Sequence, residues 1–314
     1  MLLLGANYMV DASVAIAKRA NISNFIIGLT IVGIGTSAPE LFVGIKSALA
    51  GDGDIAMGNV VGSNIANVLL ILGITAAITP FAIERETQRL DIPVGIAASI
   101  LMVLLASDSL IPGIAENTLS RIDGIFLVVV FLAYMAYTIV LKARNPKEAI
   151  EDADEQTASS LEGFHPAILW LITGVSLAAL IFGGNLFLDN AKLLAASWGM
   201  SEAVISITIV AVGTSLPELV TAVIAACKGN PQLALGNVLG SNVFNCLFII
   251  GVSATANPLT ITGISWRDYG VMIAAAVMTF VVVFTFGKHK FDRIEGFIFL
   301  AVYIAYIVTL LMQL

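Results

Sequence analysis

A block of six residues, Gly-Thr-Ser-Ala-Pro-Glu at Gly35 to Glu40, returns as Gly-Thr-Ser-Leu-Pro-Glu at Gly213 to Glu218. Each copy is followed at the same distance by Gly-Asn-Val-x-Gly-Ser-Asn-x-x-Asn, at Gly58 to Asn67 and at Gly236 to Asn245. A single offset of 178 superimposes the two copies without a gap, and 24 of the 53 positions between Gly28 and Pro80 are identical to their partners. A repeat of this length means that one structural unit has been used twice. Its polar members lie inside apolar runs, where such groups are costly unless they have a task. Two equivalent acidic clusters in lipid-facing sequence point to a cation site shared by two halves.

The surrounding sequence fixes the solvent. Hydrophobic residues make up 58 % of the 314 positions and charged residues only 12 %, about half the charged share of a soluble domain; mean hydropathy is +0.97. Apolar runs long enough to cross a bilayer as helix recur throughout. Breaks at Pro, Gly and charge clusters divide the chain into ten hydrophobic segments: 1–18, 24–49, 55–80, 91–107, 122–141, 166–190, 202–227, 232–257, 267–287 and 293–313. The predicted fold is an all-α polytopic membrane protein of ten transmembrane helices. Residues 1–141 and 166–314 form two five-helix repeats, joined by a linker over 142–165 that carries six acids: Glu148, Glu151, Asp152, Asp154, Glu155 and Glu162.

Placement of Lys and Arg predicts orientation. With the N-terminus outside, eleven fall in inner loops (Lys18, Arg19, Arg85, Arg89, Lys142, Arg144, Lys147, Lys228, Lys288, Lys290, Arg293) and four outside (Lys46, Arg121, Lys192, Arg267). Both termini are then outside and the acidic linker is cytoplasmic. An odd number of spans per half inserts the halves in opposite directions, an architecture of many secondary transporters with the site near the midplane.

The motif chemistry agrees. Thr36 and Ser37 lie four and three residues before Glu40, on one helical face. Pro39 lacks an N–H for the Gly35 carbonyl and its ring clashes there, so the helix breaks and frees backbone carbonyls. Pro217 repeats the arrangement around Glu218, Thr214 and Ser215. Asn59, Ser63 and Asn67 recur every four residues, as do Asn237, Ser241 and Asn245, each set forming one polar stripe. Every acceptor is a hard oxygen, the donor set of Ca²⁺ or Na⁺, and two carboxylates match one divalent charge. Ser63, Ser241, Asn59 and Asn237 read equally well as interhelical packing groups, and Gly58, Gly62, Gly236 and Gly240 as close-approach residues. Glu40 and Glu218 do not, because a mid-membrane charge costs roughly 2.5–3.5 kcal/mol. Asn7, Asp11, Asn185 and Asp189 also match across the repeat and read as caps or interfacial groups.

Other classes find no support in the residues. No basic patch with interleaved aromatics offers a nucleic-acid surface. Cys227 and Cys246 lack a C-x-x-C spacing and read as free thiols, and with only His165 and His289 besides, zinc or copper has no donor set. A solvated charge run is the ordinary reading of the linker, which lacks the EF-hand spacing. No nucleophile–base pair or Walker motif suggests an enzyme, no cofactor is called for, and no protein partner is evident. The N-terminus shows no removable signal peptide.

At Gly35–Glu40, Gly213–Glu218 and the partner segments Gly58–Asn67 and Gly236–Asn245, the chain resembles the sodium/calcium exchanger family of the cation/Ca²⁺ antiporter superfamily, of prokaryotic type. The resemblance implies a Ca²⁺/Na⁺ antiporter working by alternating access in a prokaryotic inner membrane. It also implies Glu40 and Glu218 as the carboxylates of a central Ca²⁺ site, with oxygens from Thr36, Ser37, Thr214 and Ser215. Gly33 and Ala211 would offer backbone carbonyls, Ser63 and Ser241 would complete Na⁺ sites, and Asn67 and Asn245 would line the centre. Proton/calcium exchangers of the superfamily typically carry Gly-Asn-x-x-Glu instead, and potassium-dependent relatives carry Asp at the position of Asn245. A Ca²⁺/H⁺ exchanger would use the same glutamates, since burial favours the protonated carboxyl; a channel would need a continuous pore, which the apolar stretches beside the motifs oppose. By the offset Met1 pairs with Ala179 whereas the second half begins near Pro166, so the first helix is expected to be incomplete at its outer end.

Overall fold

In a computed structural model, residues 1–110, 116–143, 159–198, 211–282 and 290–312 are described. The described residues are mainly helical. Helices α1 (Leu2–Ala20), α2 (Asn24–Thr36), α3 (Ala38–Leu49), α4 (Gly53–Ile78), α5 (Thr87–Leu105) and α6 (Arg121–Ala143) precede the linker. After it come α7 (Pro166–Ser197), α8 (Ala211–Thr214), α9 (Leu216–Cys227), α10 (Pro231–Ala256), α11 (Trp266–Val282) and α12 (Arg293–Leu311). Linker residues 144–158 lie outside the described residues, as do 202–210 and 283–287 of two expected segments.

Among the described residues six helices are long and apolar enough to cross a membrane (α4, α5, α6, α7, α10 and α12), and the bent pair α2–α3 makes a seventh. The other three expected segments are represented by α1, which carries Asp11, Lys18 and Arg19, by α8–α9, and by α11. Burial divides the spans into two classes. In α10 and α4, 89 % and 72 % of the apolar window is buried, against 22 % in α12 and 28 % in α6. The two helices that carry the Gly-Asn-Val-x-Gly-Ser-Asn motifs are therefore the core. Peripheral helices turn large apolar side chains such as Ile122, Phe126, Leu171, Phe182 and Phe297 outward, a surface suited to lipid rather than water.

Packing joins the halves rather than separating them. α1 lies along α7, α2 crosses α10, α6 packs on the end of α10, and α12 packs on the end of α4. The α2–α10 crossing needs glycine. A Cβ at Gly28 would meet the Leu233 carbonyl at 2.4 Å, and at Gly236 and Gly240 it would meet the carbonyls of Phe25 and Leu29 at 2.2 and 2.1 Å. Gly58, also expected at a close approach, would meet only the Ile264 side chain, at 3.3 Å.

Two small antiparallel sheets add to the interlock. β1 (Phe81–Ala82) pairs with β4 (Lys290–Phe291), and β2 (Asn117–Leu119) pairs with β3 (Leu259–Ile261). Each sheet takes one strand from either side of the linker. These pairs were not expected from an all-helical reading; they are loop segments of two or three residues that satisfy their backbone across the repeat.

Candidate functional site

Both expected helix breaks are present. α2 ends at Thr36, Ser37 leaves helical geometry (φ −81°, ψ 11°), and α3 restarts with Pro39 in its first turn. The two segments meet at 45°. Ser215 does the same (φ −86°, ψ 12°) between α8 and α9, with Pro217 in the first turn. Proline tolerates this position because its missing N–H would have no helical partner there. Glu40 and Glu218 fall in the first turns of α3 and α9, where the positive end of the helix dipole favours a carboxylate. Each is only 1 % exposed.

The halves exchange hydrogen bonds around these carboxylates in offset-related pairs. Ser37 Oγ donates to Glu218 Oε1 at 2.9 Å, and Ser215 Oγ to Glu40 Oε1 at 3.4 Å. Thr36 Oγ1 lies 3.2 Å from Asn237 Oδ1, and Thr214 Oγ1 lies 3.4 Å from Asn59 Oδ1. The serines of the partner helices break the pairing: Ser63 donates to Glu40 Oε1 at 3.4 Å, whereas Ser241 donates to the Gly33 carbonyl at 3.1 Å. That carbonyl also accepts the Ser37 N–H at 3.2 Å.

Asn67 and Asn245 are held one turn further along, where α4 and α10 widen into π-helical turns at Ala66–Leu72 and Phe244–Ile249. Such turns often mark functional positions. Asn67 Nδ2 donates to Asn242 Oδ1 and Asn245 Nδ2 donates to Asn64 Oδ1, both at 3.0 Å.

Four buried oxygens in this network have no hydrogen-bond donor: Glu40 Oε2, Glu218 Oε2, Asn67 Oδ1 and Asn245 Oδ1. They form two offset-related pairs. Leaving a buried acceptor unpaired costs about 1–3 kcal/mol, and more for a charged one. A cation among hard oxygens, two of them carboxylate, would remove that cost. Among the described residues no three His, Cys, Asp or Glu side chains gather as a metal-binding group.

The expected residues are thus distributed as follows. Glu218 accepts from Ser37, and Glu40 from Ser215 and Ser63; the Gly33 carbonyl accepts from the Ser37 N–H and from Ser241; Thr36 and Thr214 contact Asn237 and Asn59; Asn67 and Asn245 meet through two further asparagines. Ala211 opens α8, and the residues before it lie outside those described. Asn59 and Thr214 border a cavity of about 330 Å³ lined also by Asp268, Tyr303 and Tyr306. Asn64 and Asn242 escaped the sequence reading, although both are identical across the repeat inside the singled-out motif; the stripe drawn every four residues stepped over them.

Asp11 is more than an interfacial group. Its carboxylate pairs with Lys228 Nζ at 2.6 Å and accepts from Ser160 Oγ at 3.1 Å. Lys18 pairs with Glu162 at 2.5 Å, and Arg19 donates to the Phe164 carbonyl. The end of the linker is fastened along α1. Cys227 and Cys246 are both free thiols.

The family model described as sodium/calcium exchanger protein matches residues 1–140 and 168–312. The chain is 37 % identical to CaxA of Alkalimonas amylolytica over 98 % of its own length and 94 % of the relative's. It is 33 % identical to the sodium/calcium exchanger MaX1 of Methanosarcina acetivorans, over 98 % and 95 %. A solved structure of the sodium-calcium exchanger NCX_Mj, soaked with Na⁺ and Ca²⁺, superimposes with a TM-score of 0.78 at 29 % identity, covering 98 % of this chain and 94 % of that one.

Proposed function

Since this chain belongs to the sodium/calcium exchanger protein family, we propose that it is an antiporter that moves Ca²⁺ across the membrane in exchange for Na⁺. The observation that carries this reading is the set of four donorless buried oxygens from Glu40, Glu218, Asn67 and Asn245. Two carboxylates balance one Ca²⁺, and several Na⁺ compete for the same oxygens. Ser37, Ser215 and Ser63 donate to the carboxylates, and each hydroxyl also carries lone pairs that can face a cation. Thr36, Thr214, Ser241 and the carbonyls of Gly33 and Ala211 supply the remaining oxygens.

Exchange follows from the cost of an empty site. Two ionised carboxylates buried without a counter-charge are expensive, so a passage between inward and outward exposure is disfavoured until an ion set neutralises them. Ca²⁺ or Na⁺ can each do so, and neither is carried without the return of the other. The ten expected spans form two inverted repeats with the site at their interface. Alternating exposure moves one part of this bundle against the other. The distribution of Lys and Arg puts both termini outside the inner membrane of a prokaryotic cell.

The driving ion is Na⁺ rather than H⁺ or K⁺. Supporting this are the Gly-Thr-Ser-x-Pro-Glu signature and the neutral Asn245, which lacks the extra charge that a co-transported K⁺ would call for. Uptake of radiolabelled Ca²⁺ into proteoliposomes under imposed Na⁺, K⁺ or H⁺ gradients tests it. An outward Na⁺ gradient alone should drive uptake. Uptake driven by a pH gradient with no Na⁺ present, or an obligatory K⁺ requirement, would overturn the assignment.

A further inference from the structure

Asn64 and Asn242 sit at equivalent positions of α4 and α10 and join the halves through four hydrogen bonds of side-chain amides. Asn64 Nδ2 and Asn242 Nδ2 each donate to the other's backbone carbonyl at 3.3 Å. Asn64 Oδ1 then accepts from Asn245 Nδ2, and Asn242 Oδ1 from Asn67 Nδ2. This order has only one direction. A backbone carbonyl can only accept, so the NH₂ of Asn64 must face Asn242, and its oxygen is left for the neighbour. That oxygen can only accept, so Asn245 must turn its NH₂ toward Asn64 and its own oxygen away. The same chain of constraints runs from the Asn64 carbonyl through Asn242 to Asn67.

From this geometry we infer that Asn64 and Asn242 are positioning residues that make the two central amides present oxygen, and never NH₂, to the transported cation. A primary amide is nearly symmetric in shape, and a half-turn would replace an acceptor by a donor that repels a cation. Asn64, Asn67 and Asn245 are only 1–2 % exposed, so bulk water cannot hold the orientation instead. Asn64 is further fixed by a 2.8 Å contact from Nδ2 to Cys246 Sγ. Because every oriented amide is held by the opposite half, binding affinity depends on the two halves staying in register at this point. The inference rests on the exchanger reading above and adds two residues to its site.

Equilibrium binding of radiolabelled Ca²⁺ to the purified full-length chain in detergent tests it through two double-mutant cycles. In the first, Asn64→Leu is measured alone and in the background of Asn245→Asp. Aspartate at 245 has no NH₂ to be held, so it needs no orienting acceptor. Asn64→Leu should weaken Ca²⁺ binding about tenfold in the wild-type background, the worth of one hydrogen bond, and less than about threefold beside Asn245→Asp. Equal factors in both backgrounds would mean that Asn64 merely packs, and would overturn the proposal. The second cycle, Asn242→Leu with Asn67→Asp, makes the same demand independently should Asn64→Leu fail to elute as a folded monodisperse species. Failure of both leucine variants to fold would assign the ring to stability and reject an orienting role. Wild-type protein that binds no Ca²⁺ would instead sink the exchanger reading itself, whereas additive cycles with normal wild-type binding leave that reading intact.

Discussion

Gly240→Ala adds one methyl group at the closest approach that any described glycine makes to another helix. The new Cβ would stand 2.1 Å from the Leu29 carbonyl oxygen, 2.7 Å from its carbon and 2.8 Å from its Cα. All three are backbone atoms, so no side chain can swing aside. A carbon–oxygen contact needs about 3.3 Å, and α2 and α10 must part by about 1.2 Å. The next residue, Ser241, donates to the Gly33 carbonyl at 3.1 Å, and the same displacement breaks that bond. Overpacking and the lost hydrogen bond together amount to about 2–4 kcal/mol. The thermal midpoint in detergent, read from tryptophan fluorescence, should fall by several degrees, and Na⁺-driven Ca²⁺ uptake should fall at least about tenfold. Gly95→Ala in α5 is the control: a Cβ there meets nothing within 4 Å, and helix propensity favours alanine by up to about 1 kcal/mol. A Gly240→Ala protein as stable and as active as wild type would refute the crossing and the link from it to the site.

Three further outcomes are expected. Asp11→Asn and Lys228→Met should show a coupling of about 0.5–1 kcal/mol in a thermal-stability cycle, since the pair is partly exposed, at 14 % and 26 % of its side chains; additivity would dissolve the bond. The Glu162 carboxyl is held below its ordinary range by the Lys18 hydrogen bond, so its small contribution to stability is present above the unfolded carboxyl's pKa and disappears as pH falls through the depressed folded value; a midpoint-versus-pH profile should lose that feature in Lys18→Ala. Ser37→Ala should lower the thermal midpoint of the Ca²⁺-free protein more than Ser215→Ala does, because its bond to the opposite carboxylate is shorter, 2.9 against 3.4 Å; the reverse order in thermal unfolding with a chelator present would contradict the geometry.

What was legible in the sequence depended on local chemistry. Pro39 and Pro217 break helices by their own covalent structure, and the breaks fall within the motif, two residues before each proline, at Ser37 and Ser215. The isolated glutamates in apolar runs marked themselves by cost. What stayed hidden was non-local. The π-turns that hold Asn67 and Asn245 have no residue signature; they add one residue per turn where the tertiary contacts demand it. Asn64 and Asn242 act only through each other across the two halves, and a stripe drawn along one helix could not find them. Asp11 looked like a helix-end group because its partner, Lys228, lies 217 positions away. Gly58 and Gly236 occupy equivalent positions, yet only Gly236 touches backbone: the repeat gives the halves the same residues without giving them the same neighbours.

The central claim is that Glu40 and Glu218 together hold the transported Ca²⁺. Equilibrium Ca²⁺ binding to purified Glu40→Gln and Glu218→Gln variants tests it most directly, with wild type alongside and the folded state checked by size-exclusion elution. Each substitution preserves shape and removes one negative charge from a site whose second carboxylate oxygen has no donor. Each variant should fold and elute as wild type does, yet bind Ca²⁺ at least about a hundredfold more weakly, consistent with the strength of charged interactions in a buried site. Wild-type affinity in either folded variant would remove that glutamate from the site, and wild-type affinity in both would contradict the account.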